Sequence, residues 1–380
     1  VTRRPGATPG GPRRPPPRRA HPDPARQAAY DAIRAVAERD AYANLALPGL
    51  LRDRRLVSRD AAFATELTYG TLRFRGTYDA VLQAVVDRPL DDVDPPVLDV
   101  LRLGTHQLLR TRVPTHAAVS ATVELARAVV GEGRSRFVNA VLRRVAVRPL
   151  DGWLAELAPS EDADPIGHLA MTQAHPRWIV SAFRDALGGS LPDTAAALAA
   201  DNVPADVSLV ARPGRSTVDE LLAVGATPGR WSPYAATLPE GDPGAIPTIR
   251  EGRAGVQDEG SQLVALALAA VPLDGGDDGR WLDLCAGPGG KAALLGALAQ
   301  ERGAHLLAAE LQPHRARLVA QAVGDTAWTV VADGRRSAWL SGTFDRVLLD
   351  APCTGLGALR RRPEARWRRQ PSDLPGLGVL

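Results

Sequence analysis

The spacing of apolar positions divides the chain into a long part with a helical period and a shorter part in which brief apolar runs alternate with helix-prone stretches. From Pro24 to about Leu150 almost nothing alternates as a strand would. Arg26–Arg39 sets Ala29, Ile33, Val36 and Ala37 on one stripe, and Ser58 reads as the N-cap of a helix through Phe63, Leu67 and Leu72. Pro95-Pro96 opens a helix over Val97–Leu109, and Pro114–Val130 and Ser135–Val145 complete the set. Residues 151–250 are mixed: Asp151–Asp164 reads as a loop or short helix, and His175-Pro176-Arg177-Trp178 starts a helix. Val207–Ala211 reads as a strand, and Ser216 as the cap of Val218–Val224.

From 251 onward the pattern changes. The polar Val256–Gln262 leads into a helix, Leu263–Ala270. A buried strand, Trp281–Leu284, breaks into Ala286-Gly287-Pro288-Gly289-Gly290, and a helix follows from Lys291. Strand, glycine turn and helix in that order open a nucleotide-binding α/β domain, because the glycines admit close backbone approach and the helix start offers free N–H groups. Three further acids end apolar runs: Glu310 after His305–Ala309, Asp333 after Val330-Val331-Ala332, and Asp350 within FDRVLLDAPC. In an open parallel sheet all four strand ends fall on the ligand-binding edge. The turn is neither G-x-G-x-x-G nor a P-loop, which disfavours dinucleotides and nucleoside triphosphates. A phosphate-free adenosyl ligand, S-adenosylmethionine, fits a glycine turn with carboxylates around it. The cofactor set is therefore Cys285, Ala286, Gly287, Pro288, Gly289, Gly290, Lys291, Glu310, Asp333 and Asp350, with the Cys285 side chain read as strand packing. Asp283 is either a turn-stabilising residue or a cofactor contact.

DLCAGPGGK, DGR, LLDAPCTGLG and RRRPEARW, in that order, resemble the motifs of the RsmB/NOP family of RNA cytosine-C5 methyltransferases. The helical N-terminal region, with AAFATELTYGTLR, LRLGTHQLL and SRFVNAVLRR, resembles the NusB fold that the RsmB (Sun/Fmu) branch carries. The resemblance implies a multidomain chain: an all-α NusB-like domain (25–150), a small α/β subdomain (151–250) and a Rossmann-like S-adenosylmethionine methyltransferase domain (251–380), after a disordered Arg/Pro-rich tail (1–24). It further implies methylation of cytosine C5 in ribosomal RNA, with small-subunit RNA as target. HPRW and the 256–262 stretch match the family, whereas Val210-Ala211-Arg212-Pro213 departs from its Arg-Val-Asn strand.

Cytosine C5 is a weak nucleophile. Its methylation calls for a thiolate at C6, a carboxyl group at N3 and a base for the C5 proton. Asp350 and Cys353, three residues apart at a strand end, supply an acid and a thiol. In the family the Pro-Cys cysteine matching Cys353 assists product release. The family's nucleophile lies in a later Thr-Cys-Ser, which falls beyond Leu380 and is absent from these 380 residues. The expectation is a C-terminally incomplete copy, with the final strands of the sheet missing and the isolated chain inactive. Two rivals stay open: a methyltransferase that uses Cys353 itself as nucleophile, and a non-catalytic RNA-binding or transcription-complex module.

Charge refines the partner. Lysine plus arginine number 46 against 43 acids, and Lys291 is the single lysine, so arginine clusters matter more than the net +3. Arg134, Arg136, Arg143 and Arg144, with Arg73 and Arg75, suggest an RNA-facing patch on the helical domain. Arg360, Arg361, Arg362, Arg366, Arg368 and Arg369 around Trp367 suggest RNA backbone contacts and a stacked base, with Arg361 and Arg362 as leading candidates. The tail arginines belong either to a solvated segment or to an RNA-touching arm. Two cysteines and scattered histidines suit a reducing cytoplasm and provide no metal-ligand spacing. No apolar run is long enough to span a bilayer, and a monomer without membrane or metal partners is expected.

Overall fold

Among the residues that the computed structural model describes, 22–336 and 338–378, the N-terminal helical period becomes seven α-helices. These are α1 (Pro24–Arg39), α2 (Ala43–Asp53), α3 (Ser58–Arg73), α4 (Arg75–Val85), α5 (Pro95–Arg110), α6 (Thr115–Val130) and α7 (Glu132–Val145). Asp23 caps α1 by accepting the Arg26 N–H at 2.9 Å, and Pro24 takes the first helical position, where its missing N–H costs nothing. Ser58 is not a cap: it begins α3, and its hydroxyl makes no capping bond. The stripes meet in one core in which Leu67, Leu82, Leu101, Leu103, Leu125 and Leu142 are fully buried. Each buried leucine contributes roughly 2 kcal/mol of transfer free energy. Four more helices follow: α8 (Leu150–Leu157), α9 (Pro165–Thr172), α10 (Arg177–Ala186) and α11 (Leu191–Asn202). All eleven fall in one compact unit that also takes in Arg362–Trp367. The N-terminal tail up to residue 21 lies outside the described residues, as do Val379 and Leu380 at the other end.

The second unit, Val203–Arg361 and Arg368 onward, contains two sheets. The first is antiparallel, in the order β2 (Thr227–Pro228), β3 (Ala235–Leu238), β1 (Val207–Ala211), β4 (Ala254–Val256). Two short helices lie in the same stretch, α12 (Val218–Leu222) and α13 (Pro247–Arg250). Only β1 is visible as an apolar run, because the other three strands are short and two of them lie among prolines and glycines. The cap of α12 is Thr217, in a reciprocal box with Glu220, rather than Ser216. Ser216 turns inward, accepting from the Arg212 N–H at 3.2 Å and donating to the Arg253 carbonyl at 2.9 Å.

The second sheet is parallel, in the order β7 (Ala327–Val331), β6 (His305–Glu310), β5 (Arg280–Asp283), β8 (Arg346–Leu348). Helices α14 (Glu259–Ala270), α15 (Gly290–Glu301) and α16 (Pro313–Val323) belong to it; of the last two helices, α17 (Ala365–Arg368) falls in the helical unit up to Trp367 and α18 (Asp373–Gly378) in this one. The further strands and the Thr-Cys-Ser expected beyond Leu380 lie outside the described residues, which supply four strands to this sheet. Trp281 on β5 is fully buried and donates its indole N–H to Asp278 at 2.7 Å. The chain runs outward from β5 through β6 to β7 and then returns to pair β8 on the other side of β5. This reversal makes the C-terminal end of β5 the topological switch point, where open α/β sheets bind ligands. Strand β5 stops at Asp283, one residue short of the predicted Leu284. Cys285 therefore lies in the turn, half-buried, and not within a strand.

Candidate active site

Register decides which side chains share the sheet edge. Asp283 pairs with Ala308 on one side and Leu348 on the other, so Glu310 and Asp350 each stand two residues beyond its partners. Glu310 pairs with Val331, two residues before Asp333. The four acids thus lie at the C-terminal ends of four adjacent parallel strands, as their positions after apolar runs predict.

The glycine turn fits closely into this edge. Ala286 donates to the Ala309 carbonyl at 2.9 Å, and Gly287 donates its N–H to Glu310 at 3.0 Å. A Cβ on Gly287 would fall 2.1 Å from that carboxylate. Gly289 has φ of +110°, a conformation open to glycine, and a Cβ there would meet Ala322 at 2.6 Å. Glu310 is buried and also accepts the Gln312 N–H at 2.9 Å, so its carboxylate is aimed by two backbone donors. Asp333 stands apart: Arg335 binds it twice at 2.9 Å and holds its carboxyl down at about 2.

Asp283 is the anomaly. It is 1% exposed, and neither carboxylate oxygen has a hydrogen-bond partner. Burial pushes its carboxyl up to about 7, and the negative charges of Asp350 and Glu310 push the same way. The Cys285 amide pulls against this without reaching hydrogen-bonding geometry, and Lys291 pulls against it too. A buried carboxylate without partners is costly unless something supplies them. Lys291 instead extends its ammonium 2.7 Å from Asp350 and 3.4 Å from the Ser261 hydroxyl. Cys353 is exposed in the irregular segment after β8. Burial raises the Cys285 thiol, and three nearby carboxylates add to this, which makes it a poor source of thiolate.

The arginine readings divide. Arg134, Arg136, Arg143 and Arg144 are exposed on α7, with Arg134 paired to Asp94 at 2.9 Å and Arg144 to Asp87 at 3.3 Å. Arg73 is 4% exposed and cannot face RNA; Arg75 is half-buried beside Asp79. Within the 360–369 run the expected RNA ladder is largely a structural clip. Arg366 is fully buried and donates to the carbonyls of Arg73 and Ala174 at 3.2 Å, of Asp201 at 2.9 Å, and to the Asn202 side chain at 2.8 Å. Trp367, half-buried, gives its indole N–H to the Leu72 carbonyl at 2.6 Å, which ties its ring edge to the end of α3. Arg361 is committed to Asp258 at 2.7 Å, the Asp206 carbonyl at 2.8 Å and Ser208 at 3.1 Å. Arg362 is exposed over the Tyr42 ring.

A helical unit followed by a unit whose parallel sheet carries a glycine turn at its switch point is the arrangement of an enzyme with a Rossmann-like ligand-binding domain, as the sequence resemblance implies. Comparison with known proteins agrees. Residues 23–147 match the NusB family, and residues 270–379 match the family described as 16S rRNA methyltransferase RsmB/F. A Mycobacterium tuberculosis protein, Rv1407, whose name gives it provisionally as a methyltransferase, is 58% identical over 366 residues, covering 96% of this chain and 80% of that one. The ribosomal RNA small subunit methyltransferase B of Pseudomonas putida is 32% identical over 369 residues, covering 93% and 80%. The crystal structure of PH0851 superposes with a TM-score of 0.76 at 18% identity, over 95% of this chain and 81% of that one, which speaks for the fold. The chain belongs to the RsmB/F family, in the form that carries an N-terminal NusB domain. Among the described residues no helix is long and apolar enough to cross a membrane, and no group of three or more His, Cys, Asp or Glu is arranged to hold a metal.

Proposed function

We propose that the protein transfers a methyl group from S-adenosylmethionine to C5 of a cytosine in small-subunit ribosomal RNA. The observation that carries this reading is the sheet edge itself, where the buried, unpartnered Asp283 stands between the glycine turn and the Asp350–Cys353 loop. Those residues fit the cofactor. The bare backbone at Gly287 and Gly289 gives an adenosyl group close approach, and Glu310, aimed by two amides, suits ribose hydroxyls. The orphaned carboxylate of Asp283 suits the cationic amino group of the methionine portion. When bound, S-adenosylmethionine supplies the electrophilic methyl group. The chain's own residues then act on the base. Asp350 lies 2.7 Å from the Lys291 ammonium and faces N3; as a thiolate adds at C6, the Lys291–Asp350 pair passes a proton to N3, neutralising the negative charge that develops there, and takes it back when the thiolate leaves. Loss of the C5 proton and expulsion of the thiolate restore aromaticity, and we place Cys353 at that release.

The rival role for Cys353, attack at C6, is separated by trapping with RNA that carries 5-fluorocytidine, from which the C5 proton cannot be removed. In the complete protein as its gene encodes it, Cys353→Ala is expected to keep forming a covalent RNA adduct. Complete loss of the adduct would transfer the nucleophile's role to Cys353.

A further inference from the structure

We propose that Gln257 recognises the target base, its side-chain amide accepting from the 4-amino group of cytosine. The inference rests on the methyl-transfer reading above and adds a residue to it. Gln257 is 7% exposed, yet neither its amide nitrogen nor its amide oxygen has a hydrogen-bond partner. A primary amide has two donors and an acceptor with two lone pairs, and leaving all of them dry is costly. The residue is nevertheless held firmly. Its N–H donates to the Ser208 carbonyl at 3.0 Å, and its carbonyl accepts from the Gln262 side chain at 3.0 Å. Gln262 is anchored in turn on the Leu209 carbonyl at 3.1 Å. The backbone is therefore pinned while the side chain has nothing of the protein to bind.

Its position identifies the partner. The glycine turn has two differently furnished ends. At Gly287 the near neighbour is the Glu310 carboxylate, whereas at Gly290 a Cβ would have the Gln257 amide carbon 4.0 Å away. The next residue, Lys291, reaches Ser261 and Asp350. Gln257 thus belongs to the Lys291–Asp350 side of the turn, where the base is handled, and not to the Glu310 side, which suits the ribose of the cofactor. On that side the amide oxygen can accept from the 4-amino group of cytosine, whereas uracil offers O4 and would need the amide turned over to present its NH2. Its NH2 remains for a neighbouring RNA oxygen.

The test compares the complete wild-type protein with Gln257→Leu. The leucine removes both orphaned atoms at similar volume, so the thermal midpoint is expected to hold or rise. Affinity for S-adenosylhomocysteine should stay within about twofold, and kcat/KM for ribosomal RNA should fall about 10- to 100-fold. RNA carrying pyrimidin-2-one at the target position, which lacks the amino group, should be a poorer substrate than cytosine for wild type and an equal one for the variant. Unchanged kcat/KM would overturn the proposal, as would a midpoint that falls in step with activity or a tenfold loss of S-adenosylhomocysteine affinity. A wild-type protein that forms no 5-methylcytidine would instead overturn the underlying reading.

Discussion

Asp283 shows what a single residue can hold in reserve. Its carboxyl is lifted to about 7 in the folded protein, against about 4 in an unfolded chain. Between those values the folded state binds a proton that the unfolded state has lost, so stability falls as pH rises through that window. The cost is then fully present above about 7 and is on the order of a few kcal/mol. Asp283→Asn is therefore expected to raise the thermal midpoint at pH 8, with the gain shrinking toward pH 4, while S-adenosylhomocysteine binding weakens at least tenfold. Calorimetry across pH checks both parts. A variant less stable at pH 8, or one that binds as wild type does, would show that the carboxylate serves the fold. Nothing in the spacing of WLDLC distinguishes this Asp from a turn residue, because its missing partners become visible only once β6 and β8 have closed around it.

At the scale of elements, legibility followed locality. The order of strand, glycine turn and helix could be read because each piece announces itself within ten residues. The acids at the strand ends followed from the rule that parallel strands share an edge. Strands β2, β3 and β4 escaped because two to four residues carry no period. The arginine run escaped for a different reason. The four acceptors that cage Arg366 come from positions 73, 174, 201 and 202, so no window of sequence can separate a solvated charged helix from a buried clip. Arg366→Leu leaves those acceptors without their donor and is expected to destabilise the helical unit by about 2–5 kcal/mol. Denaturant unfolding followed by circular dichroism reads this, and an unchanged midpoint would return Arg366 to the set of RNA-contact candidates.

Across the whole molecule, two units carry two kinds of chemistry. The helical unit offers exposed arginines on α7 and a buried polar clip; the sheet unit holds a switch-point edge furnished with acids, one lysine and a thiol. Family membership assigns the chain to methyl transfer, and the unpartnered carboxylate at the sheet edge supports S-adenosylmethionine as the donor in the reading proposed here. The decisive measurement is to incubate the complete protein with methyl-labelled S-adenosylmethionine and unmodified small-subunit ribosomal RNA, digest the RNA to nucleosides, and identify the labelled one by mass spectrometry. The account predicts label in 5-methylcytidine alone, abolished by Asp350→Ala. Label in any other nucleoside, or RNA bound without label, would contradict it.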